Sequence, residues 1–162
     1  CLDQNAGRTG TLLRLVTRGA EQKDLMKYLS KQARFKQDST TKLARSKFPV
    51  QGGVNEEEIS TKPESEILSV LKREVLQGAY YLIDYRGYAG YEPGDNVVNI
   101  CSMGSLTTEA IKASESLLSR GIYANVIVVS SPDLVCGILA HENDYDYLKN
   151  YLQINYNIYL NR

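Results

Sequence analysis

The chain has 162 residues, with 19 basic and 19 acidic side chains, so its formal net charge is zero. A neutral chain has no global field that would draw it to nucleic acid or to an anionic membrane, and no apolar run reaches the ~20 residues of a membrane span. We therefore expect neither partner. Cys101 and Cys136 lie in or beside apolar runs and show no C-x-x-C spacing, which predicts reduced core thiols and a cytoplasmic protein.

The first pattern in the chain is an apolar run at 12–16, which predicts a strand over 11–17. A lone strand is not stable by itself. Because the chain begins at Cys1 and this run has no neighbour to pair with, we expect an excised piece of a longer polypeptide. The strand would then close an upstream domain that ends at residue 18.

Residues 19–63 are polar and rich in lysine and glutamine, which predicts a long interdomain linker. Its basic side chains raise the alternative of phosphate binding. The acidic run at 55–58 offsets that charge, so we favour a solvated linker face. The basic side chains concerned are Lys31, Arg34, Lys36, Lys42, Arg45 and Lys47.

Pro63 in a first helical turn predicts a helix from there through Leu76, ended by Gly78. Its inward side would carry Ile67, Leu68, Leu71 and Val75. A strand is predicted over 79–84. The glycine-rich stretch 85–95 contains Tyr85, Tyr88 and Tyr91, for which a base-stacking platform and a turn with packed tyrosines are the alternatives. We favour the packed turn, because no basic field accompanies these rings.

The central unit of the sequence spans 96–133. It is predicted to form a strand, a turn, a helix that ends at a glycine, and a second strand. The apolar run 97–101 predicts a strand buried on both faces. The turn 103–105 leads into an amphipathic helix that Ser105 or Thr107 would cap, and Arg120 with Gly121 would end it. A second strand is predicted at 126–129, parallel to the first through a right-handed crossover.

After Pro132, the pattern predicts an apolar helical or irregular stretch at 134–139, a helix at 145–152 and an extended tail at 153–162. His141 is the single histidine, and we interpret it as a surface or capping residue. The cluster His141, Glu142, Asp144 and Asp146 is interpreted as solvated. No G-x-G-x-x-G or Walker motif is present. We predict no catalytic, cofactor-binding or metal-binding residue in this chain.

Residues 77–84 (QGAYYLID) and 97–134 resemble the start of the C-terminal domain of transketolase-like thiamine enzymes. The resemblance is nearest to the homodimeric bacterial decarboxylase component of the pyruvate dehydrogenase complex. It lies in the Gly-x-Tyr step at Gly78, the Met103-Gly104-Ser105 turn, the alanine-rich helix and the Ser-Pro-Asp trio that ends at Asp133. Residues 12–18 resemble the last strand of the preceding pyrimidine-binding domain.

This resemblance implies an α/β fold with a parallel, mixed-edge sheet flanked by helices. It also implies three parts, namely the end of an upstream domain (1–18), a linker (19–63) and an incomplete C-terminal domain (64–162). The parent would use thiamine diphosphate and Mg²⁺ bound outside this chain, form a homodimer and pass acetyl groups to a lipoyl-bearing dihydrolipoamide acetyltransferase. Because the family's sheet has further strands, we expect an exposed apolar strand such as 126–129, and a chain that dimerises, rearranges or binds its parent.

Two alternatives remain open at this stage. One is a stand-alone, non-catalytic regulatory or assembly module of the same fold. The other is part of a transketolase or a deoxyxylulose-phosphate synthase relative. The upstream reading frame separates the first alternative from the main hypothesis, because a catalytic domain encoded before Cys1 would favour the enzyme.

Overall fold

The structure, a computed structural model, describes residues 24–45 and 52–136. These residues form short elements first and then a helix-flanked sheet. In chain order the elements are α1 (Met26–Leu29), a 3-10 turn (Ala33–Phe35), β1 (Leu43–Ala44), β2 (Val54–Asn55), α2 (Glu64–Leu76), β3 (Ala79–Ile83), β4 (Val97–Ser102), a second 3-10 turn (Gly104–Leu106), α3 (Thr107–Leu118), β5 (Tyr123–Val129) and α4 (Pro132–Cys136).

The predicted strand–helix–strand unit is present as β4, α3 and β5. β4 and β5 are parallel, in a continuous register that runs from the Val97–Tyr123 pair to the Ser102–Val128 pair. α3 packs Ala110, Ile111 and Leu118 into the main core, and Gly121 follows it with a positive φ of 82°. The helix and its glycine stop were predicted correctly. The predicted apolar stripe of Leu106, Ala110, Ala113 and Leu117 was wrong in part, because Leu106 and Ala113 are exposed and the buried face runs through Ala110, Ile111 and Leu118.

β5 lies at the centre of the sheet, between β3 and β4. β3 runs antiparallel to β5, whereas β4 runs parallel to it. The described part of the chain is thus an α/β unit with a mixed sheet flanked by helices, which confirms the predicted fold class at that level.

The predicted burial of the two apolar runs was wrong, because the run predicted to be buried is exposed and the run predicted to be exposed is buried. β4, predicted to be buried on both faces, is an outer strand whose Val98 and Cys101 are exposed. The run 126–129, named as an exposed strand, belongs to β5, where Val126 and Ile127 are fully buried. An apolar run indicates a strand, but the sheet order decides which strand has neighbours on both sides. Cys101 is accordingly not a core thiol.

α2 begins directly after Pro63 and ends at Leu76, as predicted. Ile67 and Leu71 are buried, whereas Leu68, which was expected to face inward, is exposed. Gly78 then turns the chain into β3 with a φ of 107°. A Cβ at this glycine would lie 2.8 Å from the Leu134 Cβ, so the α2–β3 corner requires glycine both for its conformation and for its close packing.

The described part of the predicted linker packs against the domain, as a linker that wraps a surface would, and the expected solvated face is wrong where side chains of 24–45 are buried. Among residues 52–63 only Glu56 is buried. Leu29 and Leu43 are fully buried, and even Lys36 is buried. β1 pairs with β2 in parallel, and Leu43 bonds through its backbone to Gly87 and Ala89. The segment therefore covers the domain rather than connecting it through solvent.

Several predictions fall on residues outside the described ranges. They concern the strand at 11–17, the basic side chain of Lys47, the helix at 145–152, the tail at 153–162 and the cluster that begins at His141. These predictions, and the three-part division of the chain, stay predictions.

Candidate functional site

The buried polar groups of the described residues concentrate where residues 24–45 meet the end of β3. An arginine network, defined as Arg34, Glu74, Asp84 and Arg86, lies there. Arg34 Nη1 donates to Glu74 Oε1 at 2.5 Å, and Nη2 donates to Oε2 at 3.2 Å. Arg86 Nε donates to Asp84 Oδ1 at 2.8 Å, and Arg34 Nε lies 4.0 Å from Asp84 Oδ2. Both carboxylates are buried, so each needs such a partner.

Gln32 joins this network to the outer edge of β3. Its Nε2 donates to the carbonyl oxygens of Tyr81 at 2.9 Å and Leu82 at 3.1 Å, and its Oε1 accepts from Arg34 Nε at 2.7 Å. The side chain is 1% exposed. Gln32 therefore satisfies backbone acceptors that a further strand would otherwise have to satisfy.

Most of the basic side chains proposed as a phosphate site have partners within the protein. Arg34 binds Glu74, Lys36 Nζ donates to Thr61 at 3.3 Å, and Lys31 and Arg45 lie 3.7 and 3.9 Å from the Glu56 carboxylate. Burial, partly offset by Glu56, lowers the pKa of Lys36. The described run is therefore a set of internal ion pairs and hydrogen bonds, and the phosphate alternative gains no support.

The tyrosines of 85–91 form a packed cluster with Tyr123, as predicted. The Tyr85 and Tyr88 rings meet edge to face at 5.4 Å between centroids, and Tyr85 lies 5.5 Å from Tyr123. The Tyr91 and Tyr123 ring centroids are 5.7 Å apart. Tyr85 and Tyr88 are buried. Rings in these positions cannot offer open faces to stacked bases, which argues against the nucleic-acid alternative.

Hydrogen bonds connect this tyrosine cluster to the sheet and to the residues that precede α2. The Tyr88 hydroxyl donates to the Lys31 carbonyl at 2.7 Å and also contacts the Glu56 carboxylate. Asn125 Oδ1 accepts from the Tyr85 amide at 2.8 Å, and its Nδ2 donates to the Tyr91 hydroxyl at 3.0 Å. No sequence motif marks Asn125, but a single asparagine inside the apolar run of β5 was the available signal.

A small cavity opens beside this cluster. Its volume is about 20 Å³, and it is lined by Tyr28, Lys31, Arg45, Asp84, Tyr85 and Tyr88, among others. A water molecule needs roughly 10–15 Å³ on this measure. The cavity therefore fits a water and is far too small for a substrate or for thiamine diphosphate.

The turn before α3 leads into a helix N-terminus, which in every strand–helix unit is a weak candidate for binding an anion, and Ser105 or Thr107 was predicted as the helix cap. Leu106 occupies the cap position instead, and no side chain caps the helix. The Thr107 hydroxyl accepts from Ser102 at 3.3 Å. Gly104 and Leu106 are exposed. The capping prediction was wrong, and no further feature of this turn indicates an anion site.

Within residues 24–45 and 52–136, no group of three or more histidine, cysteine or acidic residues could hold a metal ion. In the same ranges, no helix is long and apolar enough to cross a membrane. Comparison with protein families, with curated proteins and with solved structures gave no match. The described residues build a packing and ion-pair site, and they do not fit a thiamine diphosphate–Mg²⁺ group.

We expect the free energy of unfolding to fall by about 2 kcal/mol between about pH 8 and about pH 10.5. Burial raises the folded pKa of Tyr81, Tyr85 and Tyr88 above the ordinary value of 10.0, and Glu56 raises that of Tyr88 further. Burial also raises the pKa of Tyr80, Tyr123 and the Cys101 thiol, and these groups add to the same loss. Stability from the tyrosines is complete below pH 10.0 and is lost above it, because the unfolded tyrosines ionise first. The lowered pKa of Lys36 acts in the opposite direction, because a lysine with a lowered folded pKa contributes more stability as the pH rises, but Lys36 is a single group.

Urea titrations at the two pH values measure this change. Tyr88→Phe removes one of these ionisable groups and should make the fall measurably smaller. A fall of the same size in Tyr88→Phe would show that this hydroxyl does not keep its proton in the folded protein.

Proposed function

We propose that this chain is the C-terminal structural part of a thiamine-diphosphate-dependent pyruvate dehydrogenase, supporting the enzyme's homodimer. The parent enzyme decarboxylates pyruvate in the cytoplasm and passes the acetyl group to the lipoyl arm of a dihydrolipoamide acetyltransferase. Its cofactor and Mg²⁺ are held by domains that precede Cys1. In this proposal the chain itself performs no chemical step.

One observation carries the proposal, namely that the residues behind the resemblance fall at the ends of elements. Gly78 separates α2 from β3, and Met103 and Gly104 follow the last residue of β4. Ser131 and Pro132 follow β5 at the start of α4. Two proteins that share a fold are expected to have similar turn residues at the ends of their elements, because these residues determine where each strand and helix stops.

The transketolase-like form of the fold is part of the same proposal. In this proposal the further strands of the sheet pair with β4, which is an outer strand among the described residues. The stand-alone module and the transketolase relative share these features. The activity of the parent protein and its reading frame distinguish these two candidates from the proposed function.

The proposal is tested by titrating thiamine diphosphate with Mg²⁺ into this chain by calorimetry, beside the protein encoded by the full reading frame. We expect no heat of binding from the chain and saturable binding from the full protein, because the proposal places the cofactor site in other domains and no group of three or more metal-ligating side chains occurs among the described residues. Saturable binding to the chain would overturn the proposal. Pyruvate decarboxylation by the full protein separates pyruvate dehydrogenase from a transketolase relative, and absence of any catalytic domain would favour the stand-alone module.

A further inference from the structure

Two cations line the small cavity beside the tyrosine cluster, and neither charged group makes a hydrogen bond to a described residue. Lys31 Nζ lies 3.7 Å from Glu56 Oε1, and Arg45 Nε lies 3.9 Å from the same oxygen. Hydrogen bonds from nitrogen to oxygen are about 2.7–3.2 Å long, so both contacts are ion pairs only. Ammonium and guanidinium groups donate hydrogen bonds and accept none. Their N–H groups can therefore serve a ligand of the cavity.

The charges around this cavity do not balance. Glu56 is buried, and its single negative charge is shared by both cations. Asp84 also lines the cavity, but Arg86 donates to both of its oxygens, at 2.8 and 2.5 Å. One positive charge is left over among these groups. A partly buried charge is stabilised by an ion of the opposite sign.

The size of the cavity limits what can bind there. Its volume is about 20 Å³, whereas one water molecule needs roughly 10–15 Å³ on this measure. The space holds one small ion and excludes polyatomic anions such as phosphate. Lys31 and Arg45 are partly exposed, so an ion can enter from solvent.

A third polar residue of the cavity lining also lacks a partner. Tyr85 lines the cavity, and its buried hydroxyl has no hydrogen-bond partner among the described residues. A buried polar group in this state requires an explanation, and a bound water or ion is a common one.

We propose that this cavity binds one monatomic anion, such as chloride, between Lys31 and Arg45. An anion accepts hydrogen bonds only, which suits these donors, whereas a water molecule would leave the excess positive charge in place. Both cations belong to residues 24–45, and Tyr85 belongs to the loop after β3. The ion therefore links residues 24–45 to the tyrosine cluster, and the stability of the protein rises with the chloride concentration.

Urea unfolding of the full chain tests this proposal, with sodium acetate replaced by sodium chloride at constant ionic strength. Acetate is the reference because a polyatomic anion does not fit the cavity. An ion that binds only the folded state lowers the equilibrium constant for unfolding as its concentration rises. We expect a decrease of about tenfold when the chloride concentration is about nine times its dissociation constant.

Arg45→Gln and Lys31→Gln each remove one cation of the site. Lys42→Gln is the matched control, because Lys42 is exposed and does not line the cavity. Each variant is compared with itself in the two salts, so a change in its basic stability cancels. We expect the chloride effect to persist in Lys42→Gln and to be lost in the other two. An equal chloride effect in all four proteins would overturn the proposal, since the ion would then act elsewhere.

Anomalous scattering from bromide provides the second readout. A crystal of the full chain grown in bromide should show an anomalous peak in the cavity, in contact with Lys31 and Arg45. A cavity that holds only water, at a bromide concentration that stabilises the protein in solution, overturns the proposal. A stability that does not respond to chloride in the unmodified chain overturns it as well. No cofactor enters these experiments, so their result is independent of the proposed function.

Discussion

Leu43→Ala should lower the free energy of unfolding by about 2–5 kcal/mol, the range for truncating a fully buried leucine. Leu43 is 0% exposed and packs in the main core with Tyr85, Tyr88 and Ala33. Its backbone also accepts from the Ala89 amide at 2.7 Å, which holds the side chain in place. The cavity left by the substitution cannot collapse easily, because the backbone on both sides is fixed.

Lys42→Ala is the matched control, since Lys42 is the exposed neighbour of Leu43. We expect it to change stability by less than about 0.5 kcal/mol. Urea denaturation followed by far-ultraviolet circular dichroism measures both variants. If Leu43→Ala were as mild as Lys42→Ala, residues 24–45 would be a surface attachment, and the solvated-linker interpretation would stand after all.

Arg34→Met should destabilise the protein by about 3–5 kcal/mol, because it leaves a buried carboxylate without its principal cation. Glu74 is 2% exposed, and Arg34 binds both of its oxygens. Methionine keeps much of the length and apolar surface of the arginine stem, so the loss reports charge and hydrogen bonding more than packing. Arg34 Nε also donates to Gln32 Oε1, at 2.7 Å.

A double-mutant cycle with Glu74→Met separates the pair from its surroundings. We expect the double variant to regain much of the stability lost in Arg34→Met, because no uncompensated charge then remains buried. The exposed pair Lys62–Glu66, at 2.9 Å, is the control. Its coupling energy should stay below about 1 kcal/mol. Additive losses at Arg34 and Glu74 would show that the two side chains do not act as a pair.

The sequence by itself determined the elements that depend on neighbouring residues. Apolar residues at three- and four-residue steps predicted α3, and Gly121 predicted its end, because helix periodicity and glycine stops are local properties. Pro63 and Gly78 set the limits of α2 for the same reason. The pattern in α3 did not determine which face is buried, since Leu106 and Ala113 of the predicted stripe are exposed. The packed tyrosines at 85–91 also followed from the sequence, since glycine-rich turns bring their rings together and no basic field accompanies them.

Only the tertiary structure decided which elements became neighbours. The apolar runs of β4 and β5 look alike. β5 is buried because it lies between β3 and β4 in the sheet, and β4 is left as an outer strand among the described residues. The polar composition of 24–45 suggested solvent, yet Gln32, Arg34 and Lys36 are held by partners that lie far away in the sequence. Leu43 gave little periodic signal because its strand is only two residues long. Long-range ion pairs and strand order depend on the whole chain, and local patterns do not encode them.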